Sequence, residues 1–346
     1  MNLDLLTRLS EVSGVSGDEA RVRRILADAV RPHVDRLHAD SMGNLHAEKD
    51  PTAQGPGDFR VMLAAHMDEV GLMVSRIGGD GLLAFEAVGG VDARILASQA
   101  VRIGSQGVPG VIGLAPPHLL GDGAKSSSPE IKALRIDIGA DSKDAAAALV
   151  KPGDGVCFDT QVLDLGPTLL GKAFDDRGGC AMLAELLEER YPFALHGVFT
   201  VQEEIGLRGA RVAAHAIDPA AAFVLECGTT DDPPKERDDT PVMRLGHGPA
   251  ITVVDRSMIA DARLVRHLIE TAEAERIPYQ IRAPKGGGTD GGRIHLARAG
   301  VPTAVVSIPC RYLHSPASII HKQDYDNAVA LMRAALSRLT PEVLAR

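Results

Sequence analysis

Apolar positions along the chain follow two rhythms. Near the N-terminus Leu3, Leu6, Leu9 and Val12 recur at helical spacing, and Asp18-Glu19 opens a second helix whose Val22, Ile25, Leu26 and Ala29 share one face. An unbroken apolar run over 61–65 predicts a short buried strand that ends at His66 and Asp68. The texture then changes. Sixteen of the 36 glycines fall between Gly71 and Gly166, among short Val/Ile/Leu runs at 99–103 and 107–112, which predicts a small β-barrel or sandwich. Beyond Gly171 helix and strand alternate again. A helix carries Met182, Leu183, Leu186 and Leu187, strands follow at 197–201 and 221–225, a helix at 261–275, a strand at 303–308 and a terminal helix at 325–339.

This order predicts an α/β fold: a mixed, largely parallel sheet flanked by helices, interrupted by an inserted small β-barrel domain. The α/β domain is discontinuous, 1–68 and 167–346, and the inserted β-rich domain covers 69–166. With 346 residues and 45% hydrophobic content the chain can build a substantial core, so a disordered chain is excluded. Lys+Arg 37 against Asp+Glu 46 gives a net charge of −9 with no basic block, and aromatics are 3% with no Trp. Neither phosphate tracking nor base stacking is supported, so no nucleic-acid partner is expected. Cys157, Cys180, Cys227 and Cys310 lie far apart without a CxxC pair, which fits a reducing cytoplasm. No run approaches the ~18 apolar residues of a membrane span, and the N-terminus has an early acid rather than a signal peptide. A soluble cytoplasmic protein with no membrane partner is expected.

Several segments then end in acids or histidine: AAHMD (His66, Asp68), TVQEE (Glu203, Glu204), FVLE (Glu226) and PCRYLH (His314), with KAFDDRGG (Asp175, Asp176) just before a helix. Each alone reads as ordinary surface chemistry. Together they matter, because the carboxyl ends of strands in an open α/β sheet converge on the ligand crevice. Converging acids raise each other's pKa unless a cation neutralises them. Imidazole plus carboxylate, without a thiol, suits zinc, cobalt or manganese. One catalytic zinc needs only three protein ligands, so the surplus favours two metals.

AAHMDEVGLMV, KAFDDRGGC, VQEEIGLRGA and RYLHSP, in this order, resemble the M42 family of metallo-aminopeptidases, the TET aminopeptidases. DSMGNLHAEK, GGVDARIL, GVIGLAPPH and IDIGADS extend the resemblance nearly end to end. It implies a zinc-peptidase-like fold and two divalent ions per chain, zinc or cobalt, with manganese as an alternative. His66, Asp175 and Glu226 would hold one ion, and Asp175, Glu204 and His314 the other. Asp68 would orient His66, and Glu203 would be the general base that activates the shared water. The resemblance also implies a cis Asp175–Asp176 peptide, peptide substrates, and a homo-oligomer, a dodecamer built from dimers through the inserted domain. Many relatives carry Asp where this chain has Glu226; Asp231 and Asp232 stand nearby as substitutes.

The other histidines, among them His33, His38, His215, His267, His295 and His321, read as structural or surface residues. Gly286, Gly288 and Gly291 satisfy GxGxxG, but no acid occurs between Gly291 and Gln323, so a dinucleotide loop is not supported. The expected function is a two-metal aminopeptidase. The alternatives are a metal-dependent deacylase, a glycan-cleaving enzyme, or a non-catalytic metal-binding assembly protein, the last disfavoured by Glu203.

Overall fold

Asn2 starts the first helix, Leu3–Glu11, by accepting the Leu5 amide on its side chain, and Leu5, Leu6 and Leu9 pack inward. In the second helix, Ala20–Val30, Val22, Leu26 and Val30 are buried while Ile25 and Ala29 sit at the margin. The computed structural model describes residues 1–52, 59–114, 129–233, 242–282 and 286–345. Residues 115–118 of GVIGLAPPH, 234 of the proline pair and 284–285 of PKGGGTDGGR lie outside the described residues.

The fold is mixed α/β with an eleven-stranded sheet. At its centre Ala194–Thr200, Arg60–His66, Ala221–Thr229 and Thr303–Arg311 lie side by side and parallel. Their nearly continuous burial is what parallel strands covered on both faces require. The flanks are antiparallel: Leu45–Lys49 beside Ala194–Thr200, and Ser318–His321 beside Thr303–Arg311. Alternation along the strands fixes which side chains meet which helix. Helix Phe174–Leu186 covers the face of Cys227 and Ile308, since a Cβ on Gly178 would meet both side chains. The short helix Gly291–Ile294 covers the opposite face, where a Cβ on Gly291 would lie 3.3 Å from Val305. Glu226 and Ser307, paired in register, point to that second side.

Six strands between Gly71 and Phe158 close into a barrel around its own core of Leu72, Val74, Phe85, Ile103, Ile136 and Val156. The barrel joins the sheet through a buried ionic knot. Glu69 accepts Lys172 at 2.7 and 2.9 Å, Arg177 at 3.3 Å and the Gly14 amide at 3.0 Å. Lys172 and Arg177 also donate to the Val12 carbonyl, which ties the first helix to both units.

Three elements differ from the sequence pattern. The strand expected at 221–225 continues to Thr229, because Thr303–Arg311 pairs with it throughout, so Glu226 lies within the strand. The terminal helix starts at Lys322, where His321 Nδ1 accepts the Gln323 amide. The hairpin Arg36–Ala39/Leu45–Lys49 was not signalled, because its outer strand is mostly exposed and carries no apolar run. Among the described residues no helix is long and apolar enough to cross a membrane.

Candidate metal centre

His66 closes the central strand Arg60–His66, and its amide donates to Asp176 at 3.1 Å. Asp175 and Asp176 follow a left-handed Ala173, and the Asp175–Asp176 peptide is cis. Gly179 is required beside them: a Cβ there would lie 2.4 Å from Asp176 Oδ1 and 2.6 Å from the Leu225 carbonyl. Glu203 and Glu204 follow Ala194–Thr200 after a left-handed Gln202 (φ +56°). They therefore occupy a turn rather than extended backbone, and both side chains line one cavity of about 420 Å³ with His66, Asp175, Glu226 and His314.

Two ligand groups form there. One donor atom each from His66, Asp175 and Glu226 lies within 4.8 Å of the others, and the same holds for Asp175, Glu204 and His314. Asp175 belongs to both: its Oδ1 is 3.2 Å from His66 Nε2 and its Oδ2 is 3.4 Å from His314 Nε2. Each imidazole is turned by the contact at its other nitrogen. His66 Nδ1 lies 3.1 Å from the Asp68 carbonyl, and His314 Nδ1 lies 3.2 Å from the Gly90 carbonyl. Both Nε2 atoms thus face the carboxylates, the orientation a ligating histidine needs. Glu204 Oε1 and Glu226 Oε1 are buried without a hydrogen-bond partner among the described residues. Such orphaned acceptors, with imidazoles beside them, fit one or two divalent cations.

Asp68 organises the turn. Fully buried, it accepts the Glu203 amide at 3.0 Å, the Glu204 amide at 3.1 Å and the Ser16 hydroxyl at 2.5 Å, and its Oδ1 lies 3.5 Å from His66 Nδ1. Burial raises its pKa, but His66 and these donors outweigh that and hold it ionised. Sequence reasoning missed Gly89-Gly90. A Cβ on Gly89 would lie 3.3 Å from Glu204 Cβ, and one on Gly90 3.1 Å from His314 Nδ1, so this turn from the barrel seats the second group. The double glycine of GGVDARIL was the available signal. Thr289 lines the cavity, whereas Asp290 is buried against the Thr200 hydroxyl at 2.5 Å. Asp232 is engaged by Arg311 at 2.8 and 2.9 Å, and Asp231 accepts the Val242 amide; neither joins a ligand group. His267 contacts the Ala335 carbonyl and His295 the Gly291 carbonyl, both local structural bonds.

The profile of the M42 glutamyl aminopeptidase family matches residues 43–331. The chain belongs to the M42 family of aminopeptidases. It is 33% identical to the lysyl aminopeptidase of Pyrococcus furiosus over 98% of this chain and 97% of that protein. A solved aminopeptidase of Desulfurococcus kamchatkensis shares 37% identity over 99% of this chain and 96% of its own, with a TM-score of 0.94. The Pyrococcus horikoshii TET1 peptidase, described as assembling into a tetrahedron or a large octahedral shell, is 33% identical over 97% and 99% of the two chains, with a TM-score of 0.86. M42 peptidases are metal-dependent, and this chain presents acids and histidines that could serve such a metal.

In the absence of a cation, the surroundings of Glu204 and His314 favour their protonated forms. Burial and the neighbouring Asp175 push Glu204 up to about 8. Burial lowers His314, but Asp175 and Glu204 raise it further, to about 9. Both groups must lose their protons to ligate, so metal binding is coupled to proton release. Calorimetry of Zn²⁺ binding at pH 7, repeated in buffers of different ionisation enthalpy, should show net proton release, and affinity should rise from pH 6 to pH 8. Proton-neutral binding, or affinity independent of pH, would contradict this assignment.

Proposed function

We propose that this protein is a two-metal aminopeptidase that removes N-terminal residues from peptides. His66, Asp175 and Glu226 hold one ion, Asp175, Glu204 and His314 hold the other, and the metals are zinc or cobalt, with manganese as the alternative. The observation that carries this reading is the pair of buried ligand groups sharing Asp175 beside an additional carboxylate, Glu203, in one cavity. When bound, the ions supply positive charge that polarises the scissile carbonyl and lowers the pKa of water. Glu203 takes a proton from the attacking water and returns it to the leaving amine. Burial, with Asp290 and Glu204 nearby, raises the Glu203 pKa above the usual carboxylate range, which makes its carboxylate the stronger acceptor for the water's proton. Asp68 keeps Glu203 in place through its amide and keeps His66 turned toward the metal.

Glycan cleavage without metal is the weaker reading. It asks for two free carboxylates on opposite sides of a sugar bond, while Asp175, Glu204 and Glu226 here converge on histidines. Deacylation would use the same centre and differs only in substrate. A panel of aminoacyl p-nitroanilides, N-acyl amides and soluble glycans, with and without chelator, separates the three. The kinship leaves the preferred side chain open, because the family carries a glutamyl name and the Pyrococcus furiosus relative a lysyl one.

Glu203 and Glu204 give opposite outcomes on this account. Glu203→Gln should lower kcat by at least ~10²-fold with metal content unchanged, since it removes only the proton acceptor. Glu204→Gln should lose metal. Loss of metal in Glu203→Gln with both ions kept in Glu204→Gln would reverse the two roles, and normal cleavage in both variants would refute the mechanism.

We also propose that the inserted segment 69–166 is an assembly domain, and that the protein is a cytoplasmic dodecamer built from dimers. Exposed Val111, Leu114 and Leu149 on this segment support a further contact there, and the four free thiols support a reducing compartment. Light scattering of the metal-loaded protein should give the twelve-chain mass. A fully active, stable monomer would refute it.

A further inference from the structure

The segment DSMGNLHAEK contributes no ligand, yet its Asn44 reaches the turn that carries Glu203 and Glu204. Four successive amides enter that turn, Val201 to Glu204, and each donates to a side chain from another segment. Asn44 Oδ1 accepts Val201 at 3.0 Å, Glu19 Oε1 accepts Gln202 at 3.2 Å, and the Asp68 carboxylate accepts Glu203 and Glu204. Asn44 also grips the far end of the turn. Its Nδ2 donates at 3.1 Å to the carbonyl of Gly209, in the helix Arg208–Ile217 that follows. The Gly209 amide closes back onto the Val201 carbonyl at 3.0 Å, so one fully buried side chain spans both ends of the turn.

Asp40 fixes which way Asn44 faces. A carboxylate only accepts, so Asn44 turns Nδ2 toward Asp40 Oδ2, 2.7 Å away, and this leaves Oδ1 for the Val201 amide. Asp40 is held in turn by the amides of Met42, Gly43 and Asn44 on its Oδ1, and His46 Nε2 lies 3.2 Å from its Oδ2. Gly43 takes φ +98° in this loop. Gly209 supplies the room on the other side: a Cβ there would collide with Asn44 Oδ1 and lie 2.5 Å from the Val201 carbonyl. Both Asn44 and Val201 are fully buried, so removing the side chain leaves the Val201 amide without its acceptor and without water to replace it.

Resting on the two-metal aminopeptidase reading, we propose that Asn44, oriented by Asp40, is a positioning residue that sets where Glu203 and Glu204 stand in the cavity. The division into two ligand groups makes the effect selective. Glu204 belongs to the group of Asp175 and His314, whereas the other group is His66, Asp175 and Glu226. None of those three hydrogen-bonds to Asn44 among the described residues. Loss of Asn44 therefore weakens the group that contains Glu204 and misplaces Glu203, and it spares the group that contains Glu226. A shift of about 1 Å at Glu203 is enough to cost ~10²-fold in rate.

The test uses the full-length protein at a free Zn²⁺ concentration that saturates the wild type. Zinc is counted per chain by elemental analysis, and kcat and KM are measured on the best-cleaved aminoacyl p-nitroanilide. Asn44→Ala should lose about one ion relative to the wild type, and its kcat should fall by ~10²-fold with KM little changed. Added to Glu204→Gln, Asn44→Ala should remove no further ion, whereas added to Glu226→Gln it should remove the one that remains. Asn44→Leu keeps the volume without the hydrogen bonds and should match Asn44→Ala; recovery in Asn44→Leu would make Asn44 a space-filler and overturn the proposal. Asp40→Asn, on the outer hairpin, should move both readouts in the same direction by a smaller factor, and it decides the question where Asn44 variants do not fold. Zinc content and kcat both unchanged in Asp40→Asn would then overturn the proposal. In Asn44→Ala, full zinc content, an unchanged kcat, or a further ion lost on the Glu204→Gln background overturns it and leaves the peptidase reading in place. If no peptide is cleaved but Asn44→Ala still loses zinc in this selective way, the positioning role stands and the aminopeptidase reading falls.

Discussion

Asp175, Glu203, Glu204 and Glu226 point into one cavity, and their mutual repulsion is the constraint the rest of the site answers. Burial and the adjacent acids push Glu203 and Glu226 well above the ordinary carboxylate range. Burial also works against Asp175, yet hydrogen bonds from His314 and His66 hold it at about 2. The two imidazoles answer part of that repulsion. Divalent cations would offer a stronger solution, because each of the two candidate groups brings together one histidine and two carboxylates.

Such a cluster persists only where the backbone is held from outside. Asp68 gathers the amides of Glu203 and Glu204, so the strand-end turn cannot relax away from the cavity. Ser16 supports Asp68 from the segment linking the first two helices. One residue further on, Glu69 binds Lys172 and Arg177, which flank Asp175 and Asp176 in sequence. The ionic knot fixes the loop that delivers Asp175 to the same N-terminal segment that fixes Glu203. From the barrel, Gly90 orients His314. Sheet, N-terminal segment and barrel thus all meet around the candidate ligand residues, and the barrel borders the site as well as having its own core.

The strand before His66 was legible because parallel strands buried on both faces leave an uninterrupted apolar run, and the run stops where the polar residues of the candidate site begin. The barrel was legible from glycine spacing. Other features were hidden for specific reasons. Glu226 reads as the end of an apolar run, but a run records hydrophobicity and not pairing, and the paired strand extends to Thr229. The turn that carries Glu203 and Glu204 was not legible, because it follows a left-handed Gln202, a rare conformation for a non-glycine residue. Gly89-Gly90 lies more than 200 residues from His314, and no local pattern predicts their contact. The likeness to M42 peptidases supplied the division of the ligands into two groups, which spacing alone had left open.

In the proposed mechanism Asp175 serves two ions at once. Elemental analysis of the metal-saturated protein, wild type beside Asp175→Ala, addresses this directly. The account predicts about two ions per chain in the wild type and fewer than about one in the variant, because both groups lose an anionic ligand. A wild type that is fully active with a single ion, or an Asp175→Ala variant that still binds two, would contradict it.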